Sequence, residues 1–210
     1  MKSIFTSVLI LLSVNCYSQY EEGFFEYYID VTATDTSLTA KQSAASLRNS
    51  KMSLFFDPTC SRVDYHMGDI SLSSMIVNRE TNKAITLVAG PNGNFAIVKK
   101  ADELDYTKQE TDSTVQIKYL GEFKKIIGYT CEKIIFTQNS INTVYWITKD
   151  FQLINAESVV NKNLPGFPME FYKEENGIKM QFTISNLGFN LNSKELLFDT
   201  NPPENYTPMN

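Results

Sequence analysis

The sequence has little of what most site chemistry uses. It carries one histidine, His66, and three cysteines, of which Cys16 lies in the N-terminal segment. One His and two distant Cys, Cys60 and Cys131, support metal binding poorly, and their spacing excludes a catalytic CxxC pair. His66 stands in the alternating run Arg62–Met67 with no local motif marking a nucleophile or acid partner, so it reads as a residue at the sheet surface or rim. There is no GxSxG elbow for Ser/His/Asp chemistry. Gly90-Pro91-Asn92-Gly93 lacks the following helix and Lys-Ser/Thr of a phosphate cradle and reads as a hairpin turn. Glu174-Glu175 sits at a turn, as a solvated tip rather than an acid/base pair. No catalytic, cofactor-binding or metal-binding residue is assigned. The formal charge is −5, with Lys and Glu interspersed and no basic block, which argues against nucleic acid as a partner. No run beyond Val14 approaches the roughly 18 apolar residues of a transmembrane helix.

What is present begins with an export signal. Lys2 supplies a positive start, Ile4 to Val14 an apolar stretch too short to span a bilayer, and Cys16-Tyr17-Ser18 small residues for cleavage before Gln19. Residues 1–18 are thus expected to be the signal peptide of an exported protein. The rival reading lipidates Cys16, but Ser13-Val14-Asn15 gives no Leu-small-small pattern before it. The remaining chain, residues 19–200 with a flexible tail over 201–210, has the size of one domain and can bury a real core.

Most of that chain alternates with period two. Gly23–Thr32 sets Phe25, Tyr27, Ile29 and Val31 on one face. Strands are expected again at 52–56, 62–67, 74–78, 84–88, 95–98 and 114–119, recurring every eight to twelve residues with short turns, the signature of a sandwich or barrel. Thr34–Ser50 reads as a short helix or a loop, and Ala101–Thr114 as a linker with one helical turn at its start. In Lys124–Lys149, apolar runs Ile126–Cys131 and Ile134–Phe136 continue into one another and face Val144–Thr148 across a polar turn. This hairpin holds the only Trp, Trp146, and is expected at the centre of the sheet. Asn176-Gly177 between two alternating runs is the best short hairpin signal in the chain. Leu164-Pro165-Gly166-Phe167-Pro168 stiffens the backbone, since proline fixes φ and removes a donor.

Two further features stay open. Cys60 and Cys131 are permitted a disulfide in an oxidising compartment, closing a loop of about 70 residues for roughly 4 kcal/mol, or they are two buried thiols that never meet. Met52, Met67, Met75, Met169 and Met180 all lie in expected strands among Phe and Tyr. They form either an adaptable apolar ligand lining or an ordinary β core.

Three blocks together resemble a known family. Lys125-Ile126-Ile127-Gly128-Tyr129-Thr130-Cys131, then Trp146-Ile147-Thr148-Lys149-Asp150, then Leu164-Pro165-Gly166 are similar to a domain-of-unknown-function family of exported bacterial envelope proteins, a relative of the GLPGLI family. The motif residues are Gly128, Tyr129, Cys131, Trp146, Leu164, Pro165 and Gly166. Phe167-Pro168 departs from the Leu-Ile of the GLPGLI ending, and Cys60 is not a position of the family. The resemblance implies a mainly β fold like that of LolA and LolB: a single curved antiparallel sheet, an incomplete barrel, with one or two short helices or loops on its concave side. It implies no activity.

The expected function is a non-enzymatic envelope protein binding a lipid or other apolar molecule in the half-barrel. The alternative is a structural or interaction protein docking an envelope partner through a sheet edge or the LPG loop. An enzyme lacks any partnered catalytic set.

Overall fold

The computed structural model describes residues 18–104, 115–139, 141–154 and 160–209. Residues 1–17 of the expected signal peptide, with Cys16, and the linker residues 105–114 lie outside these. The elements in chain order are β1 (Ser18–Tyr20), β2 (Gly23–Ala33), α1 (Leu38–Ser46), β3 (Ser50–Phe56), β4 (Cys60–Met67), β5 (Ser71–Asn78), β6 (Lys83–Gly90) and β7 (Gly93–Lys99). A short helical turn at Ala101–Glu103 follows. The second half is β8 (Gln116–Ile126), β9 (Tyr129–Gln138), β10 (Ile141–Thr148), β11 (Phe151–Leu153), β12 (Phe167–Glu175), β13 (Ile178–Gly188), α2 (Lys194–Leu197) and β14 (Thr207–Met209).

Twelve strands form one unclosed sheet in the order β14-β7-β6-β5-β4-β3-β2-β13-β12-β10-β9-β8, while β1 and β11 form a small parallel pair beside it. All neighbours in the large sheet are antiparallel except β14 on β7. The fold is therefore mainly β, one mostly antiparallel sheet, as expected. The middle of that sheet is β2, not the β9–β10 hairpin, which lies next to the β8 end. The Trp and Cys content of the hairpin is a poor guide to its place. The position of a strand in the sheet depends on distant pairing, and β2 pairs with β3 on one side and with β13 on the other, from Ile178↔Ala33 to Gly188↔Phe24.

Local chemistry explains the turns. Asn176 and Gly177 hold φ of 51° and 73°, as the expected two-residue hairpin demands. The run 126–136 is not one strand, because Ile127 and Gly128 take φ of 41° and 94° and reverse the chain between β8 and β9. Positive φ in a β-branched residue is rare, so nothing in the apolar run announces this turn. In the Thr34–Ser50 stretch the helix is the reading realised: the Ser37 Oγ accepts from the Ala40 amide at 3.1 Å, and Ala40 and Ala44, one turn apart, are buried as α1 packs on β2.

Period-two alternation then sorts the side chains. The inner face of β2 carries Phe25, Tyr27 and Ile29, which form the main core with Met52, Leu54, Phe56, Phe151, Phe167, Met169, Phe182 and Ile184. The rings are closely arranged: Phe25 lies 4.2 Å from Phe167 between centroids, and Phe151 lies 5.3 Å from Phe167. The outer face carries Phe24, Phe55, Cys60, Ile76, Ile85 and Leu87, covered by Leu191, Leu197, Phe198 and Tyr206 from the C-terminal segment. Thus α2 packs on the outer face, opposite to the side on which short helices were expected. Arg62 secures this cover: its Nε donates to Asp64 at 2.9 Å and its Nη1 to the Leu197 carbonyl at 3.1 Å. Residues 207–209, read as flexible tail, are strand β14 on the β7 edge. Cys60 and Cys131 are free buried thiols in two separate apolar clusters, so the disulfide is not formed here.

Candidate functional site

The inner face is not wholly filled. A cavity of about 300 Å³ is lined by Tyr27, Met52, Leu54, Val63, Tyr65 and Met75 from β2 to β5, and by Tyr145, Pro168, Phe171, Lys173 and Phe182 from β10, β12 and β13. Val160, Asn161 and Leu164 close it from the connection before β12. β5 and β10 are six strand spacings apart in the sheet order, roughly 29 Å if the sheet were flat. Met75 and Tyr145 can line one small cavity only because the sheet curls back on itself.

The LPG segment forms one wall, held from three directions. Leu164 packs against the cluster of Ile134, Phe136 and Ile147. Gly166 runs so close to Thr148 that a Cβ there would lie 2.5 Å from the Thr148 carbonyl oxygen. The Tyr27 hydroxyl donates to the Pro168 carbonyl at 2.7 Å, wholly buried and 141 residues away in sequence. Upstream, the Asn161 side chain donates to the Gln138 side chain at 3.3 Å and accepts from the Asn163 amide at 3.0 Å.

The electrostatics of the lining are simple. Burial pushes the Tyr27 phenol well above its ordinary value, helped by Tyr65 nearby; burial also raises Tyr65 and Tyr145. All three stay neutral hydroxyls at physiological pH. Among the described residues of the lining Lys173 is the single charged one, and it is exposed at the rim. Among the described residues no three His, Cys, Asp or Glu side chains gather where they could hold a metal ion.

Of the methionines expected as lining, Met52 and Met75 reach the cavity. Met169 is fully buried in the core instead, beside the register shift in the β10–β12 pairing at Trp146/Ile147. Met180 packs against the same core, and Met67, at the end of β4, stops short of the cavity. Val63, Tyr65 and Phe182 were missed, though alternation along their strands puts them on the inner face. Val160 and Asn161 gave no signal.

The other motif residues serve structure. Trp146 on β10 is half-buried and packs against the main core, and the Lys124 ammonium lies 4.3 Å and the Lys133 ammonium 5.5 Å from its ring. Each such pair is worth about 0.5–1 kcal/mol when exposed. Lys124 also pairs with Glu170 at 2.7 Å. Tyr129 meets Phe151 edge-on at 5.3 Å. Burial pushes the Cys131 thiol up to about 11, which makes it a poor nucleophile. His66 is exposed, on a strand register opposite Lys51 and Leu72.

Comparison with known proteins gives a family and no activity. No curated protein matches the sequence. Among solved structures, PNGF-II in two crystal forms is 14% identical with a TM-score of 0.43. It covers 90% and 89% of this chain, which spans only 31% of the PNGF-II chain. A LolA superfamily protein from Nitrosomonas europaea is 11% identical with a TM-score of 0.35, over 86% of this chain and 90% of that one. Likenesses of this extent carry no functional argument. No helix among the described residues is long and apolar enough to cross a membrane. Residues 36–158, more than half of the chain, match the family described as Domain of unknown function (DUF4412); Gly128, Tyr129, Cys131 and Trp146 fall inside that stretch and Leu164–Gly166 beyond it. This chain belongs to the DUF4412 family.

Proposed function

We propose that the protein is an exported, non-enzymatic envelope protein that binds an apolar molecule in the cavity beneath the LPG segment. The observation that carries this reading is the cavity of about 300 Å³, lined by Met, Leu, Val, Phe and Tyr side chains from both arms of the curled sheet. That volume sits at the lower end of small-molecule sites, which run from about 300 to 1,000 Å³. Met52 and Met75 give the lining the adaptability that variable apolar ligands need. Export rests on the Lys2 and Ile4–Val14 leader, and kinship with GLPGLI proteins on Leu164-Pro165-Gly166; both are parts of the proposal.

The test is calorimetric titration of the full-length chain with decanol, a neutral apolar probe. The reading expects one-to-one binding with a negative heat-capacity change, the marker of apolar burial, and its loss in a cavity-filling Val63→Phe variant. No binding of decanol up to millimolar concentration would overturn it. A second reading, docking of an envelope protein through a sheet edge, is favoured by one observation: β8 ends the sheet and exposes Tyr119 and Phe123, the latter 63% accessible.

A further inference from the structure

We infer that the ligand is a single-chain anionic amphiphile, a carboxylate on a tail of about ten carbons, with its head at Lys173 and its tail running inward toward Met52 and Met75. The inference rests on the binding reading above and goes beyond it in naming the head group and the number of tails.

The charge of the lining decides the head group. Lys173 is the only charged side chain among the described lining residues, and it stands at the rim. It pairs with Met180 in the β12–β13 register, on the same face as Phe171, so it shares the inner side of the strand with the cavity wall. Other lysines on neighbouring strands are engaged on the outer face: Lys179 lies over the Tyr172 ring at 4.3 Å and Lys124 pairs with Glu170. Lys173 has no ion-pair partner among the described residues. Glu174 alternates to the opposite face, and Glu175 lies one step further along toward the turn, exposed. A bound carboxylate would therefore give Lys173 the partner that no described residue supplies. The Tyr65 hydroxyl, with no hydrogen bond among the described residues, adds a neutral donor to the same lining.

The volume decides the tail. About 300 Å³ holds roughly ten groups of methylene size, if a water's share of liquid, about 30 Å³, is the yardstick. That admits one medium-length chain and leaves no room for the two tails of a phospholipid.

The experiment compares decanoate with decanol on the full-length wild-type protein and on Lys173→Gln and Lys173→Glu, at low ionic strength where a rim charge is least screened. Decanoate should bind the wild type about three- to tenfold more tightly than decanol, the range of one partly exposed charge-assisted contact. The preference of decanoate over decanol should vanish in Lys173→Gln and invert in Lys173→Glu, with the melting temperature unchanged, since Lys173 is exposed. Equal affinity of the wild type for both probes would overturn the head-group assignment and leave the apolar site standing. Binding of neither would overturn both. Tight binding of a two-tailed phosphatidylglycerol in place of decanoate would overturn the single-chain assignment.

Discussion

Changing Tyr27 to phenylalanine removes one oxygen and tests how the LPG segment is held. Tyr27 is 1% exposed, and its hydroxyl donates to the Pro168 carbonyl at 2.7 Å. The ring and its edge-on contact with Phe171 at 5.8 Å are retained, so no large cavity penalty arises. The loss is one buried hydrogen bond, and the Pro168 carbonyl is left without that donor, together about 1–3 kcal/mol. For a chain of this size each kcal/mol moves the melting temperature by roughly 2–4 °C, so a fall of about 2–12 °C is expected. A pH signature separates this from generic damage. Burial holds the Tyr27 phenol well above the 10.0 of an open tyrosine. Above that pH the unfolded chain gives up the phenol proton and the native chain keeps it, so native stability falls as pH rises. The slope is about 1.4 kcal/mol per pH unit for such a group. The Tyr27→Phe variant has no such proton to lose. The wild-type advantage, full below pH 10, should therefore shrink between pH 10 and the native value of Tyr27. Urea unfolding followed by Trp146 fluorescence at pH 7 and pH 10.5 measures both. A difference below about 0.5 kcal/mol at pH 7, or one that does not narrow at pH 10.5, would refute the reasoning.

Further expectations concern the same wall and the turns. Gly166→Ala should destabilise by about 1–3 kcal/mol through overpacking on the Thr148 carbonyl. Gly90→Ala, whose added Cβ would meet only ordinary contacts at 3.5 Å, should stay within about 0.5 kcal/mol; equal melting shifts for the two would remove the close approach as the explanation. Ile127→Asn should stabilise by about 1 kcal/mol, because an exposed β-branched residue at φ 41° gives way to one that favours that conformation; a lower denaturation midpoint would show that Ile127 makes a contact worth more than its strain. Both Cys60 and Cys131, buried and free, should resist a thiol reagent in the native protein and react together on unfolding. A mass two daltons short, the mark of a disulfide, would contradict the separate clusters.

Short-range chemistry in the sequence carried much of this fold, and long-range pairing carried little. The alternation of Phe25, Tyr27 and Ile29 names their face before any partner is known, and Asn176-Gly177 names its turn, because both depend on neighbouring residues only. The Ile127-Gly128 turn was illegible since the residues on either side favour strands and Ile127 holds a conformation its own side chain resists. The central place of β2 arises from pairing with β13, some 150 residues away, and the bond from Tyr27 to Pro168 spans a similar distance. The cavity was half legible for the same reason. Of the five methionines named for lying in strands among Phe and Tyr, two line it, while Lys173, Val160 and Asn161 reach it only through the curl of the sheet and the path of the LPG segment.

Native mass spectrometry of the protein recovered from a bacterial envelope, beside its Val63→Phe variant, tests the central claim most directly. The account predicts that the wild type carries one small amphiphile, released by organic extraction and identified as a single-chain acid, and that the variant is folded and empty. A wild type that is empty as isolated and stays empty after incubation with decanoate and decanol would contradict it.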